Sequence, residues 1–249
     1  MIVPSLKAER RQWLAGRARV VGVDEVGVAC VSGAVVAAAV VMPANCHRIR
    51  GVRDSKTLSA QQRERLAPII RRRAVAVGVG AASVAEIDRV NIYHATHLAI
   101  VRAVRKIGAW DYVLLDGRRI RGLEDEVGAY SAIIDGDALC YSIACASVVA
   151  KVVRDRLMAR LASRYPGYGW EHNAGYSTPT HRAAIRQLGL TPYHRRSFAP
   201  ARAILLGEQL QLDLDDVAMQ AVDASDGELA EEIERLREVD LAIAASAPA

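Results

Sequence analysis

Residues Val20-Val-Gly-Val-Asp-Glu-Val26 constrain the fold more than any other stretch, because an apolar β-type run there carries two adjacent carboxylates near its end. A second apolar run, 34–42, follows within ten residues, and the pair predicts neighbouring strands in a buried sheet. In a strand Asp24 and Glu25 face opposite ways. At a strand's mouth both can turn onto one ion, since Gly27 permits a sharp departure of the chain. An exposed acidic pair would explain the same residues, so the weight falls on two further acids. Asp116 closes the run Tyr112-Val-Leu-Leu-Asp116 before Gly117, again where a strand empties into a loop. Asp137 stands in Asp135-Gly136-Asp137, just ahead of a small-residue segment and a helical pattern. Four carboxylates without clustered His or Cys make a hard, oxygen-rich site suited to Mg2+ or Mn2+ rather than zinc. So many acids in one cleft repel one another without a cation.

Periodicity predicts strands at 20–26, 34–42, 74–82 and 112–116, with 133–134 as a short edge. Helices are predicted at 59–73, with Ser59 as cap, and at 84–107, 144–164 and 179–188. Hairpin-linked strands followed by alternating helices and strands imply an α/β mixed sheet.

Charge is divided along the chain. From Gly207 onward there are twelve acids and two arginines, a net of −10, so residues 1–206 carry +15 of a total of +5. A basic body around an acidic metal site is what a phosphodiester-cleaving protein needs. Arg195 and Arg196, beside Ser197 and Phe198, are expected to contact phosphate. The segment 207–249 reads as an acidic appendage, with a helix predicted over 225–244. No apolar run is long enough to span a bilayer, the first residues lack the order of a signal peptide, and the four cysteines show no metal or disulfide spacing. These features predict a cytoplasmic protein with reduced thiols. His94 and His97 lack the partner of a zinc motif, and His172 and His181 flank Tyr176, in reach of substrate or solvent.

The stretches Gly22-Val-Asp-Glu-Val-Gly27, Asp54-Ser-Lys-Thr-Leu-Ser59, Asn91-Ile-Tyr-His-Ala-Thr96, Leu115-Asp-Gly117, Gly136-Asp137, Ser142-Ile-Ala-Cys-Ala-Ser-Val-Val-Ala-Lys151, Gly175-Tyr176 and His194-Arg-Arg-Ser-Phe198 stand in a characteristic order. In that order the chain resembles prokaryotic ribonuclease HII, of the ribonuclease H superfamily, over most of residues 18–202. The resemblance implies a ribonuclease H-like mixed sheet flanked by helices, with a C-terminal helical substrate-binding part inside a domain of residues 1–206. It implies Asp24, Glu25, Asp116 and Asp137 as the metal-binding catalytic acids of a two-metal phosphodiester hydrolysis. Tyr176 would pack against the sugar at the cleavage junction, and Lys56 and Lys151 would face phosphates. The expected partner is an RNA-DNA hybrid duplex, cut on the 5′ side of a ribonucleotide by a monomer.

One departure bears on specificity. Where the family has Gly-Arg-Gly or Gly-Lys-Gly, a loop whose backbone and cation grip the ribonucleotide and its 2′-hydroxyl, this chain reads Gly27-Val28-Ala29, and the resemblance implies that the backbone of these three residues, with Tyr176, recognises the sugar. Val28 cannot make a charged hydrogen bond, worth roughly 1.5–3 kcal/mol, and Ala29 is expected to restrict a backbone suited to glycine. Two other readings are kept open by this loop: a non-catalytic hybrid-binding protein, and a DNA nuclease on the same fold. Magnesium-dependent cleavage excludes the first, and dependence on the 2′-hydroxyl excludes the second.

Overall fold

A computed structural model describes residues 3–205, so the acidic segment and the helix predicted at 225–244 lie outside the described residues. In chain order the elements are α1 (Lys7–Leu14), β1 (Val20–Val26), β2 (Val35–Val41), α2 (Ala60–Arg73), β3 (Ala76–Ala82), α3 (Val84–Arg105), β4 (Tyr112–Asp116), α4 (Leu123–Val127), β5 (Tyr130–Ile133), α5 (Gly136–Leu139), α6 (Tyr141–Arg164), α7 (Trp170–Asn173), α8 (Pro179–Leu188) and α9 (Ala199–Leu205). The strands form one sheet in the order β3-β2-β1-β4-β5. β1 runs antiparallel to β2 and parallel to β4, so the sheet is mixed, as the pattern of elements predicted.

Each face of the sheet is covered. Val21, Val23, Val113 and Leu115 pack with Ala95, Ala99, Ile100 and Val104 of α3 on one side. On the other, Ala38, Val40 and Met42 pack with α2 and with Ala144, Cys145, Val148 and Val149 of α6. The first ten residues of α6, 141–150, are apolar or small because they are buried all round, and the charges begin only at Lys151. It approaches β1 so closely that a Cβ on Gly22 would lie 2.2 Å from the Ser142 carbonyl carbon. A third cluster, Val31, Met158, Tyr168, Trp170 and Ile185, joins the far end of α6 to α7 and α8.

Local signals account for most boundaries. Ser59 and Ser83 each cap a helix and form a capping box, with Gln62 and Glu86 respectively. Three features differ from expectation. The edge strand is Tyr130–Ile133, displaced from the predicted pair because Ile134 is exposed and only the earlier residues pair with β4. α6 starts at Tyr141, three residues early, because Glu9 of α1 accepts from the Ser142 amide at 2.6 Å and so supplies a cap from outside the local sequence. α3 is interrupted at Asn91, which has φ 63° and ψ 169°, and whose Oδ1 accepts from the His94 amide to restart the helix.

Candidate active site

The parallel pairing of β1 and β4 assembles the acids. Val23 pairs with Leu115, so the next residues, Asp24 and Asp116, end up side by side. Both lie on the sheet face that carries α6, since Gly22 abuts Ser142 and Leu114 packs with Ile143. Asp137 reaches the same place from α5, and its amide donates to Asp116 Oδ1 at 3.3 Å. Gly136 allows this approach, because a Cβ there would meet Asp116 Oδ1 at 3.0 Å. Carboxylate oxygens of Asp24, Asp116 and Asp137 all fall within 4.8 Å of one another.

Glu25 is not in that set of three. The reason is the two-residue period of a strand that continues to Val26: Glu25 lies on the α3 face while Asp24 lies on the α6 face. It is still an electrostatic neighbour of Asp116 and Asp137.

The acids carry raised pKa values. Burial is the largest cause for all of them, followed for Asp24 by Glu25 and for Glu25 and Asp137 by Asp116. Glu25 is raised to about 7 and Asp137 to about 6. The sign of the consequence follows from linkage. A carboxylate whose folded pKa exceeds its unfolded value near 4 leaves the folded state holding more protons, so stability falls as pH rises through that window. The metal-free protein is therefore expected to lose stability between about pH 4 and pH 7 from these groups. Added Mg2+ should raise the melting temperature more at pH 8 than at pH 5, and equal shifts at both would refute a cation on these carboxylates.

The other predicted residues divide into those at the cluster and those that support it. Lys56 is exposed, with Nζ 4.0 Å from Asp137 Oδ2. Its turn is ordered by Asp54, which accepts from the Lys56 amide at 2.8 Å. Lys151 is half-buried and paired with Asp155 at 2.8 Å, and Asp155 also binds Arg63 at 3.2 Å. Tyr176 is 42% exposed. Val28 and Ala29 are exposed, and Gly27 is buried with φ 94°. The left-handed backbone is thus at Gly27, and Ala29 is not strained, contrary to the concern raised by its lacking glycine. Arg196 is exposed, with its amide on Asp88. Arg195 is a correction: it is fully buried and bonds backbone carbonyls, so it cannot reach a phosphate.

His181 is likewise not at the solvent or at a substrate. Thr191 N donates to His194 Nδ1, so His194 carries its proton on Nε2 and donates to His181 Nε2 at 3.3 Å. Trp170 Nε1 donates to that same His181 nitrogen, leaving Nδ1–H to donate to Tyr176 O at 2.8 Å. Burial lowers both histidine pKa values, His194 to about 4, so both are neutral at physiological pH. Arg154, buried inside α6 and not singled out along the sequence, bonds Ala34 O, Ser32 O and Ala174 O. Only its place on the buried face of an apolar helix could have signalled this role.

Comparisons with known proteins show the family. A family model described as Ribonuclease HII matches residues 21–201. Ribonuclease HII of Thermosynechococcus vestitus is 56% identical over 194 residues, covering 78% of this chain and 90% of its own length. That of Paracoccus denitrificans is 48% identical over 207 residues, covering 83% and 97%. The crystal structure of ribonuclease H2 from Pyrococcus horikoshii is similar with a TM-score of 0.65 at 28% identity, over 75% of this chain and 96% of that one. A structure of the PCNA:RNase HII complex from Archaeoglobus fulgidus gives a TM-score of 0.63 at 26% identity, over 80% and 99%.

Proposed function

The chain belongs to the ribonuclease HII family, and from that premise we propose that it hydrolyses the RNA strand of RNA-DNA hybrids at Asp24, Glu25, Asp116 and Asp137. The observation that carries the placement is the convergence of three carboxylates within 4.8 Å at the end of two parallel strands. An all-oxygen, mutually repelling set fits a hard divalent cation, Mg2+ or Mn2+, and fits zinc poorly. Bound there, two such ions supply water activation and stabilisation of the charge on the leaving oxygen. Asp24, Asp116 and Asp137 would hold them, with Glu25 reaching in from the other face of β1.

The remaining residues bind and orient. Lys56, exposed beside Asp137, would neutralise a phosphate of the duplex, and Arg196 would do so at the rim. Lys151 contributes field from its place beside Asp155. Tyr176 would stack on the sugar of the junction, held from behind by His181. The basic body concentrates the duplex at the cleft. Among the described residues no helix is long and apolar enough to cross a membrane. The reading implies a cytoplasmic monomer.

End-labelled duplexes carrying no, one, four or many ribonucleotides provide the test. Magnesium-dependent cuts on the 5′ side of ribonucleotides, and none in the all-DNA duplex, are the expected result. Equal cutting of the all-DNA duplex would instead identify a DNA nuclease, and tight hybrid binding without cleavage would identify a non-catalytic binder.

A further inference from the structure

The loop that follows β1 is wrapped around a buried cation. Arg195 donates from Nη2 to Gly27 O at 2.6 Å, from Nη1 to Val28 O at 2.8 Å and from Nε to Gly33 O at 3.0 Å. Its own amide donates to Val31 O, so side chain and backbone together tie down four residues of the loop. Burial lowers the pKa of Arg195 only to about 10, so the guanidinium stays charged at neutral pH and keeps all its N–H groups as donors. Removing a guanidinium from water is costly unless its donors are used. Here they are spent on main-chain carbonyls.

The direction of those carbonyls decides the direction of the amides. Every peptide described is trans, and a trans peptide points its N–H opposite its C=O. With the Gly27 and Val28 carbonyls drawn inward onto Arg195, the N–H groups of Val28 and Ala29 must point outward, where both residues are exposed. Among the described residues neither amide donates to another group of the protein. These two donors sit in a loop that starts at Gly27, two residues after Glu25, and continues into Cys30, whose thiol neighbours the Tyr176 hydroxyl. Arg154 closes the other side by bonding Ser32 O, Ala34 O and, next to the Tyr176 turn, Ala174 O.

We propose that Arg195 is a positioning residue for ribose recognition: by holding the Gly27 and Val28 carbonyls it aims the Val28 and Ala29 amides at the 2′-hydroxyl of the ribonucleotide. The inference rests on the hybrid-cleaving reading of the site and deepens it. Main-chain reading of the ribose by this loop is already implied by the family resemblance; the structure adds the buried guanidinium that fixes the direction of its amides without any cation at position 28.

Arg195→Lys tests it, because lysine keeps the charge but cannot span three carbonyls from one planar group. The readout is the ratio of kcat/KM on a duplex with one ribonucleotide to that on the same duplex with a 2′-fluoro nucleotide, a poor acceptor, in its place. The ratio is expected to narrow by about tenfold, while Mn2+ affinity stays within about twofold of the wild type. A purely structural role would slow both substrates alike, and an unchanged ratio in a folded variant overturns the proposal. Wild-type protein that treats the two substrates equally would overturn the ribose-reading function itself, and the inference with it. Should the variant fail to fold, backbone amide resonances of the wild-type protein decide. Those of Val28 and Ala29 are expected to shift with the ribonucleotide duplex and not with its deoxy counterpart in metal-free buffer, and indifference to the 2′ group would overturn the proposal.

Discussion

Asparagine in place of Asp116 is expected to abolish magnesium-dependent cleavage, with a loss on the order of 10³-fold or more, since an ion at such a site contributes several kcal/mol of charge stabilisation and each 1.36 kcal/mol is tenfold in rate. Asp116 is the residue at which the site closes: it lies beside Asp24 across the β1–β4 pair and accepts the Asp137 amide. The amide of asparagine preserves the shape and can still accept that bond, so the fold should survive. In the metal-free protein the melting temperature should rise, because the substitution removes a carboxylate whose pKa is raised chiefly by burial and which in turn repels Glu25 and Asp137. Hybrid affinity without metal should be equal or tighter, as one negative charge facing phosphate is gone. Near-normal turnover by the variant would remove Asp116 from the machinery.

The second large effect is on the fold. Gly22→Ala would place a methyl group 2.2 Å from the Ser142 carbonyl carbon and 2.5 Å from the Ile143 amide nitrogen, both backbone atoms of α6. No rotamer change relieves contact with backbone. Overpacking of this kind costs about 1–3 kcal/mol and occasionally more, and the upper end is expected here. For a domain of this size that corresponds to a fall in melting temperature of roughly 6–12 °C. Activity should fall as well. Displacing α6 from β1 moves Ser147, whose hydroxyl neighbours Asp24, relative to the carboxylates. Thermal melts and cleavage rates of the purified variant check both parts. A variant that melts with the wild type would show that α6 does not pack on β1 as closely as described.

Much of the candidate site could be read along the chain because its residues carry their own local signals. Asp24 and Asp116 each sit at the end of an apolar run, β1 and β4 have the predicted bounds, and α8 begins where Thr178 and Pro179 place it. Asp54 orders the turn of Lys56, as a residue two positions before an amide can. α1 was not legible, because a charged eight-residue segment has no reason to be a helix until Glu9 finds the end of α6.

The sequence by itself determined the alternation of strands and helices, the chemistry of a hard-metal site and the family, since each depends on residue type and local order. Tertiary structure alone decided which carboxylates converge. Glu25 adjoins Asp24 in the chain yet is not among the three carboxylates that meet within 4.8 Å, while Asp137 joins them from a distant helix. It also decided the fate of the cations. Arg195 and Arg196 are neighbours with the same charge, and one lies buried against three carbonyls while the other is exposed. No property of the residues separates them. Only the path of a loop some 160 positions earlier does, by presenting inward carbonyls that a guanidinium can satisfy.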